Sequence, residues 1–113
     1  MSIRRDYKIK LDLDRHNYTK NIIFDDTDVK TSDLSMYVYV GGKVMDITDI
    51  KGTLYVINPI GKGMTIEVEN KVDHFYINLP TEFTKEVGMY TAELSLVKGK
   101  KRIILNEFQY KVV

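Results

Sequence analysis

The positions in this chain that could hold chemistry are two histidines, a run of aspartates, a Gly-Lys-Gly step and a lysine-rich segment. His16 and His74 are the only histidines. Neither has a Glu or His at the spacing that puts two metal ligands on one helix face. Both are expected as surface or packing residues, with His74 sharing the outward face of Tyr76. Asp25, Asp26 and Asp28 offer oxygens of the kind a hard cation takes, but the run lacks the central Gly and late Glu of an EF-hand loop. It is expected to be a solvated loop. Asp46 and Asp49 are expected to fix turns by bonding nearby backbone amides. The absence of Cys removes thiolate metal sites, disulfides and a thiol nucleophile together. Gly61-Lys62-Gly63 lacks the rest of a phosphate-binding loop, and there is no Gly-x-Ser-x-Gly elbow. A glycosidase-like carboxylate pair would need a cleft, which a small sandwich seldom has. The expectation is therefore no catalytic residue, no cofactor and no metal.

Lys98, Lys100, Lys101 and Arg102 form a basic tip. It lacks the interleaved aromatics on which single-stranded bases stack, and reads as a solubilising hairpin tip. Seventeen basic residues oppose sixteen acidic ones, for a net charge of +1. That balance argues against duplex DNA or an anionic membrane surface as the main partner. No apolar run approaches the ~20 residues of a spanning helix. Met1 to Asp6 leads straight into an alternating pattern without the apolar core of a signal peptide.

The elements that position these residues are strands. Ala occurs once, at Ala92, whereas Ile, Val, Thr and Tyr dominate the periodic segments. Tyr7, Ile9, Leu11 and Leu13 alternate with polar residues, which marks a half-buried strand. Asn21–Phe24 is a short edge piece. Leu34, Met36, Val38 and Val40 alternate with Ser35, Tyr37 and Tyr39, and Gly41-Gly42 turns the chain into a return strand at Val44 and Met45. Thr53–Asn58, Met64–Glu69 and Phe75–Leu79 follow, separated by Asn58-Pro59, Gly61-Lys62-Gly63 and Asn70-Lys71. Pro80–Glu86 is the one helical turn, with Thr81 as its candidate cap. Tyr90, Ala92, Leu94 and Leu96 form the next apolar stripe, and Arg102–Val113 is the last strand.

About eight short strands with Gly-rich turns predict an all-β fold: a single immunoglobulin-like antiparallel β-sandwich with one short helical turn. Gly88-Met89-Tyr90 suggests the corner Tyr of such folds, whose hydroxyl bonds back to the chain. With Leu34, Met36, Val38 and Val40 in the core, Tyr37 and Tyr39 face away from it, and Tyr76 extends the patch. Tyr is favoured at interfaces because it buries area at low entropic cost and keeps a polar tip. Tyr37, Tyr39 and Tyr76 are therefore the candidate protein interface, although packing beneath a loop would suit them equally.

The order of segments resembles the N-terminal domain of phage baseplate upper proteins. The resemblance rests on Lys10-Leu11-Asp12-Leu13, on Leu34–Val40 with its Gly41-Gly42 turn, and on Met45-Asp46-Ile47-Thr48-Asp49. It continues through Asn58-Pro59-Ile60-Gly61, Phe75–Pro80, Val87–Leu94 and Phe108-Gln109-Tyr110-Lys111-Val112. It runs from about Tyr7 to Val113, with a shorter Pro59–Gly63 turn than the family often carries.

The resemblance implies a non-catalytic structural protein of the virion tail, made in the cytoplasm of the bacterial host. Its N-terminal domain would dock into the baseplate and help carry receptor-binding proteins or fibres; the outward phase of Tyr37 and Tyr39 and the open edges of a small sandwich make a sheet face or an exposed edge the expected contact. Its partners would be other baseplate or tail proteins, a receptor-binding protein and further copies of itself, with no nucleic acid and no membrane insertion. Residues 1–113 read as one domain, either an N-terminal fragment of a longer baseplate protein or a short family member. The alternative is a stand-alone binding module of carbohydrate-binding or adhesin type, which shares the sandwich.

The alternation also predicts a core: Leu11, Leu13, Met36, Val38, Ile66, Ile77, Leu79, Tyr90, Leu94 and Phe108. Leu94→Ala should cost about 2–5 kcal/mol, a large part of a small domain's stability, and a thermal melt measures the loss.

Overall fold

A computed structural model describes residues 5–13, 22–24 and 32–113. His16 and the Asp25–Asp28 run lie outside the described residues. The described chain forms ten strands: β1 (Arg5–Asp12), β2 (Ile23–Phe24), β3 (Ser32–Val40), β4 (Lys43–Val44), β5 (Lys51–Ile57), β6 (Gly63–Asn70), β7 (Phe75–Asn78), β8 (Gly88–Lys98), β9 (Lys101–Ile104) and β10 (Phe108–Val112). Among the described residues one 3-10 turn is present, at Thr81–Phe83. Thr81 does not cap it: Pro80 holds the cap position, and no side chain bonds there.

The strands make one continuous curled sheet in the order β1-β3-β7-β6-β5-β8-β10-β2, with β4 beside β3 and β9 beside β8. It folds over on itself as a sandwich-like pair of layers. β6 belongs to both layers: Gly63–Val68 pair with β5, whereas Glu69 and Asn70 pair with β7. Gly52 makes room for this passage. A Cβ there would stand 2.7 Å from Val68 Cγ2 and 3.0 Å from the Phe75 ring, closer than real Cβ contacts come.

Most pairings are antiparallel, as expected, but two are not. β1 lies parallel to β3, and β2 parallel to β10. Alternation is the same in either direction, so the sequence pattern carried no sign of this. The expected last strand divides into β9 and β10. Ser95 pairs with Ile104 and Ala92 with Phe108, so the register slips by one residue between the two strands. That slip is a β-bulge at Leu105–Glu107. Gly41 and Gly42, at φ 56° and 80°, make the two-residue turn between β3 and β4, where both central residues need positive φ.

The core is continuous between the layers. Leu11, Met36, Val38, Ile77, Leu79, Tyr90, Leu94 and Phe108 are buried as predicted. Leu13 and Ile66 are half-buried, packing against the core from its margin. Ile66 is less covered than predicted because no described strand flanks Gly63–Val68 on the side away from β5.

Four aromatic rings run through the core and join the two ends of the sheet. Tyr90 and Tyr110 stack at 4.8 Å, Tyr110 meets Phe24 edge-on at 5.7 Å, and Phe24 meets Tyr7 edge-on at 5.3 Å. Tyr7 Oη donates to Ile23 O at 2.8 Å, tying β1 to β2. Tyr90 is the expected corner tyrosine: its hydroxyl accepts from Glu86 N at 2.8 Å. Tyr110 Oη donates to Phe83 O at 2.7 Å and so holds the 3-10 turn on the core.

Burial, reinforced by the neighbouring Tyr90, pushes the Tyr110 phenol far above its ordinary 10.0, and burial raises Tyr90 too. The folded protein therefore keeps protons that the unfolded chain releases near pH 10. The stability this represents is fully present below that pH and is lost as pH rises toward the folded-state values. The melting temperature should fall progressively above pH ~10, and Tyr110→Phe should show a shallower fall. Melts across an alkaline pH series measure both.

Candidate protein-interaction face

The three candidate tyrosines share the outer face of the layer built from β1, β3 and β7. On β3, Leu34, Met36 and Val38 point inward and are fully covered, which sends Tyr37 and Tyr39 outward. Register fixes their neighbours. Lys10 of β1 stands beside Tyr37 and Asp12 beside Tyr39. Tyr76 of β7 is paired with Ser35. All three tyrosines are half-buried, so each keeps an accessible flank.

Each ring is held by a different contact. Tyr37 stacks on His74, with ring centroids 4.8 Å apart and an interplanar angle of 22°. His74 Nδ1 is in turn 2.6 Å from Asp73 Oδ1. Lys10 Nζ lies over the Tyr39 ring at 5.3 Å, and Lys71 Nζ over the Tyr76 ring at 5.7 Å. Tyr76 Oη donates to Asp33 Oδ1 at 2.6 Å, and Asn78 Nδ2 donates to the same oxygen at 2.9 Å. Asp33 is 1% exposed, so its carboxylate depends on such donors to offset its desolvation. Tyr76 is thus partly committed to the fold, whereas Tyr37 and Tyr39 present rings that are oriented and still accessible.

Sequence reasoning missed part of this face. Val44 pairs with Tyr39 across the hairpin and is 46% exposed. The signal was present, because a two-residue Gly41-Gly42 turn forces residue 39 opposite residue 44. Asp33 as the buried anchor of Tyr76 had no sequence signal, since the two residues are brought together only by the pairing of β3 with β7.

The other candidate positions organise loops. Asp46 Oδ1 accepts from Thr48 N at 3.0 Å and from Thr48 Oγ1 at 2.7 Å, and these bonds hold its carboxyl below its usual range. Asp49 occupies the left-handed region at φ 63°. Asn70 pins this loop to the β6–β7 hairpin: its Nδ2 donates to Ile47 O and Ile50 O at 2.7 and 2.9 Å, and its Oδ1 accepts from Val72 N at 2.7 Å. Asn58 does the same for the β5–β6 turn, accepting from the amides of Ile60 and Lys62. Arg102, in the basic tip, donates through Nε to Ser95 Oγ at 3.0 Å. Among the described residues no three His, Cys, Asp or Glu side chains are grouped as a metal would require. What this face offers is aromatic rings oriented by their neighbours, with a lysine over two of them.

The comparisons with known proteins agree with this architecture. No curated protein matches the chain. Ten chains of solved structures do match. One is the N-terminal domain of phage TP901-1 ORF48, which is 15% identical, with a TM-score of 0.73 over 95% of this chain and 97% of that one. At that identity the likeness shows a shared fold. The family model of the BppU N-terminal domain matches residues 5–113. A match over nearly the whole chain decides the family: the chain belongs to the BppU N-terminal domain family, the N-terminal domain of baseplate upper proteins, and is a structural domain of the phage tail baseplate.

Proposed function

We propose that this domain is a non-catalytic docking module that seats on another baseplate protein through the outer face of β1, β3 and β7. In this reading it connects that partner to receptor-binding proteins or fibres, and it is assembled after synthesis in the host cytoplasm. The observation that carries the reading is the placement of Tyr37 and Tyr39 beside exposed Val44, each ring already oriented by a neighbour. A ring fixed before contact loses little rotamer freedom on binding. Half-buried tyrosines are also the residue type that most often dominates interface energetics. Lys10 beside the Tyr39 ring favours a partner surface with acidic groups at its rim, whereas Lys71 is already paired with Glu69 at 2.9 Å.

The test is tail assembly, or capture by purified baseplate, with Tyr37→Ala, Tyr39→Ala and the double variant. Each single change should cost ~2 kcal/mol of docking, while the melting temperature stays near that of the parent. Normal assembly by a normally folded double variant would reject this face. A glycan array in which the same two changes abolish a specific sugar signal would favour the carbohydrate-binding alternative.

A further inference from the structure

The edge of β6 points to a second interaction, independent of the tyrosine face. Between Gly63 and Val68, β6 pairs with β5 on one side, and no described strand pairs with it on the other. Exposed edges normally carry protection, such as extreme shortness, Pro, a bulge or inward-pointing charge. β2 and β4 are two residues long, and β9 carries Lys101 and Arg102. Over Gly63–Val68, β6 is longer than β2 or β4, has no Pro and no inward-pointing charge, and carries one charged residue, the outward Glu67. Its inward residues Met64 and Ile66 are apolar and only half-covered.

Two further residues beside this edge match each other. Tyr55, on β5, leans across Gly63: a Cβ on Gly63 would stand 2.5 Å from the Tyr55 hydroxyl. The ring is 41% exposed, and its hydroxyl has no partner among the described residues. Glu67 faces the same side four residues along the strand, also exposed and without a described partner.

We propose that β6 pairs antiparallel with β6 of a second copy of this chain, about a two-fold axis at Thr65. In that register Met64 faces the partner's Ile66, and inward residues meet inward residues, as the period of two requires. Gly63 faces the partner's Glu67. The absent side chain at Gly63 is what lets the Tyr55 hydroxyl reach that carboxylate and donate to it. Symmetry repeats the contact, so two phenol–carboxylate bonds flank the axis. No like charges come opposite one another. The two curled sheets become continuous across the pair, and the half-covered Met64 and Ile66 of both copies are enclosed.

Sedimentation of the chain over a concentration series should show a reversible dimer. Thr65→Cys adds the only thiol, at the axis, where facing Cα atoms approach to about 4.5–5.5 Å, within disulfide reach. Mild oxidation should convert this variant to a covalent dimer much faster than Gln109→Cys, which places the thiol on the exposed face of β10. Glu67→Arg and Tyr55→Phe should each weaken dimerisation about tenfold or more, and the double change no further, because they break the same contact. Melting curves control for folding, and Tyr55→Phe keeps the ring over Gly63. A monomer at every concentration would overturn the proposal. So would a dimer that Thr65→Cys fails to trap preferentially, which would place the contact elsewhere. Unaltered dimerisation of both Glu67→Arg and Tyr55→Phe would overturn the register.

Discussion

The fold depends on the column of rings from Tyr90 through Tyr110 and Phe24 to Tyr7. A sheet of this order has two ends, β1 and β2, and nothing in the hydrogen-bond ladder joins them directly. Packed aromatic faces and edges join them instead, and the Tyr7 hydroxyl completes the closure on the Ile23 carbonyl. Each phenol in the column also has a backbone partner, so three polar tips enter or border the core without being orphaned. Among the described residues no buried side-chain nitrogen or oxygen lacks a partner. The column therefore contributes apolar area and fixes chain direction at the same time.

The tyrosine face inherits its geometry from that closure. β3 lies between β1 and β7, and its inner residues Leu34, Met36 and Val38 are pressed on the core that the rings complete. Once those side chains are fixed, the pleat leaves Tyr37 and Tyr39 no choice of side. The buried carboxylate of Asp33 then acts as a local register mark, holding Tyr76 and Asn78 of β7 against β3. The outward tyrosines and the packed core are two faces of the same strand.

Much of this was legible in the sequence where the information is local. Alternation placed the inward residues of β3 as far as Val38 and those of β7 and β8, whereas Val40, expected inward, is 42% exposed beside the hairpin turn; the Gly41-Gly42 pair gave the tight turn, and Gly88-Met89-Tyr90 gave the corner. The bulge in the last strand also left a trace, because buried Leu105 and Phe108 are separated by three residues, an odd step that a regular strand does not allow. What stayed hidden was long-range. Parallel pairing of β1 with β3 looks the same as antiparallel pairing in a one-strand pattern. Ile66 alternates like a core residue, but its cover depends on whether another strand lies beside β6. Tyr37 and Tyr39 could be assigned a side, while their partners, His74 in the β6–β7 turn and Lys10 on β1, are brought to them by a strand order that no local pattern records.

The shared strand β6 also determines how the two layers are tied to each other. Among the described strands the hydrogen-bond ladder crosses between the layers at one place, the Val68–Glu69 junction of β6. The two anchorages of that strand are unequal. β6 is joined to β5 by six register pairs and to β7 by two. The weaker side is braced by Asn70, whose side chain ties the hairpin to the carbonyls of Ile47 and Ile50. One side-chain amide thus reinforces the thinnest stretch of ladder between the two layers.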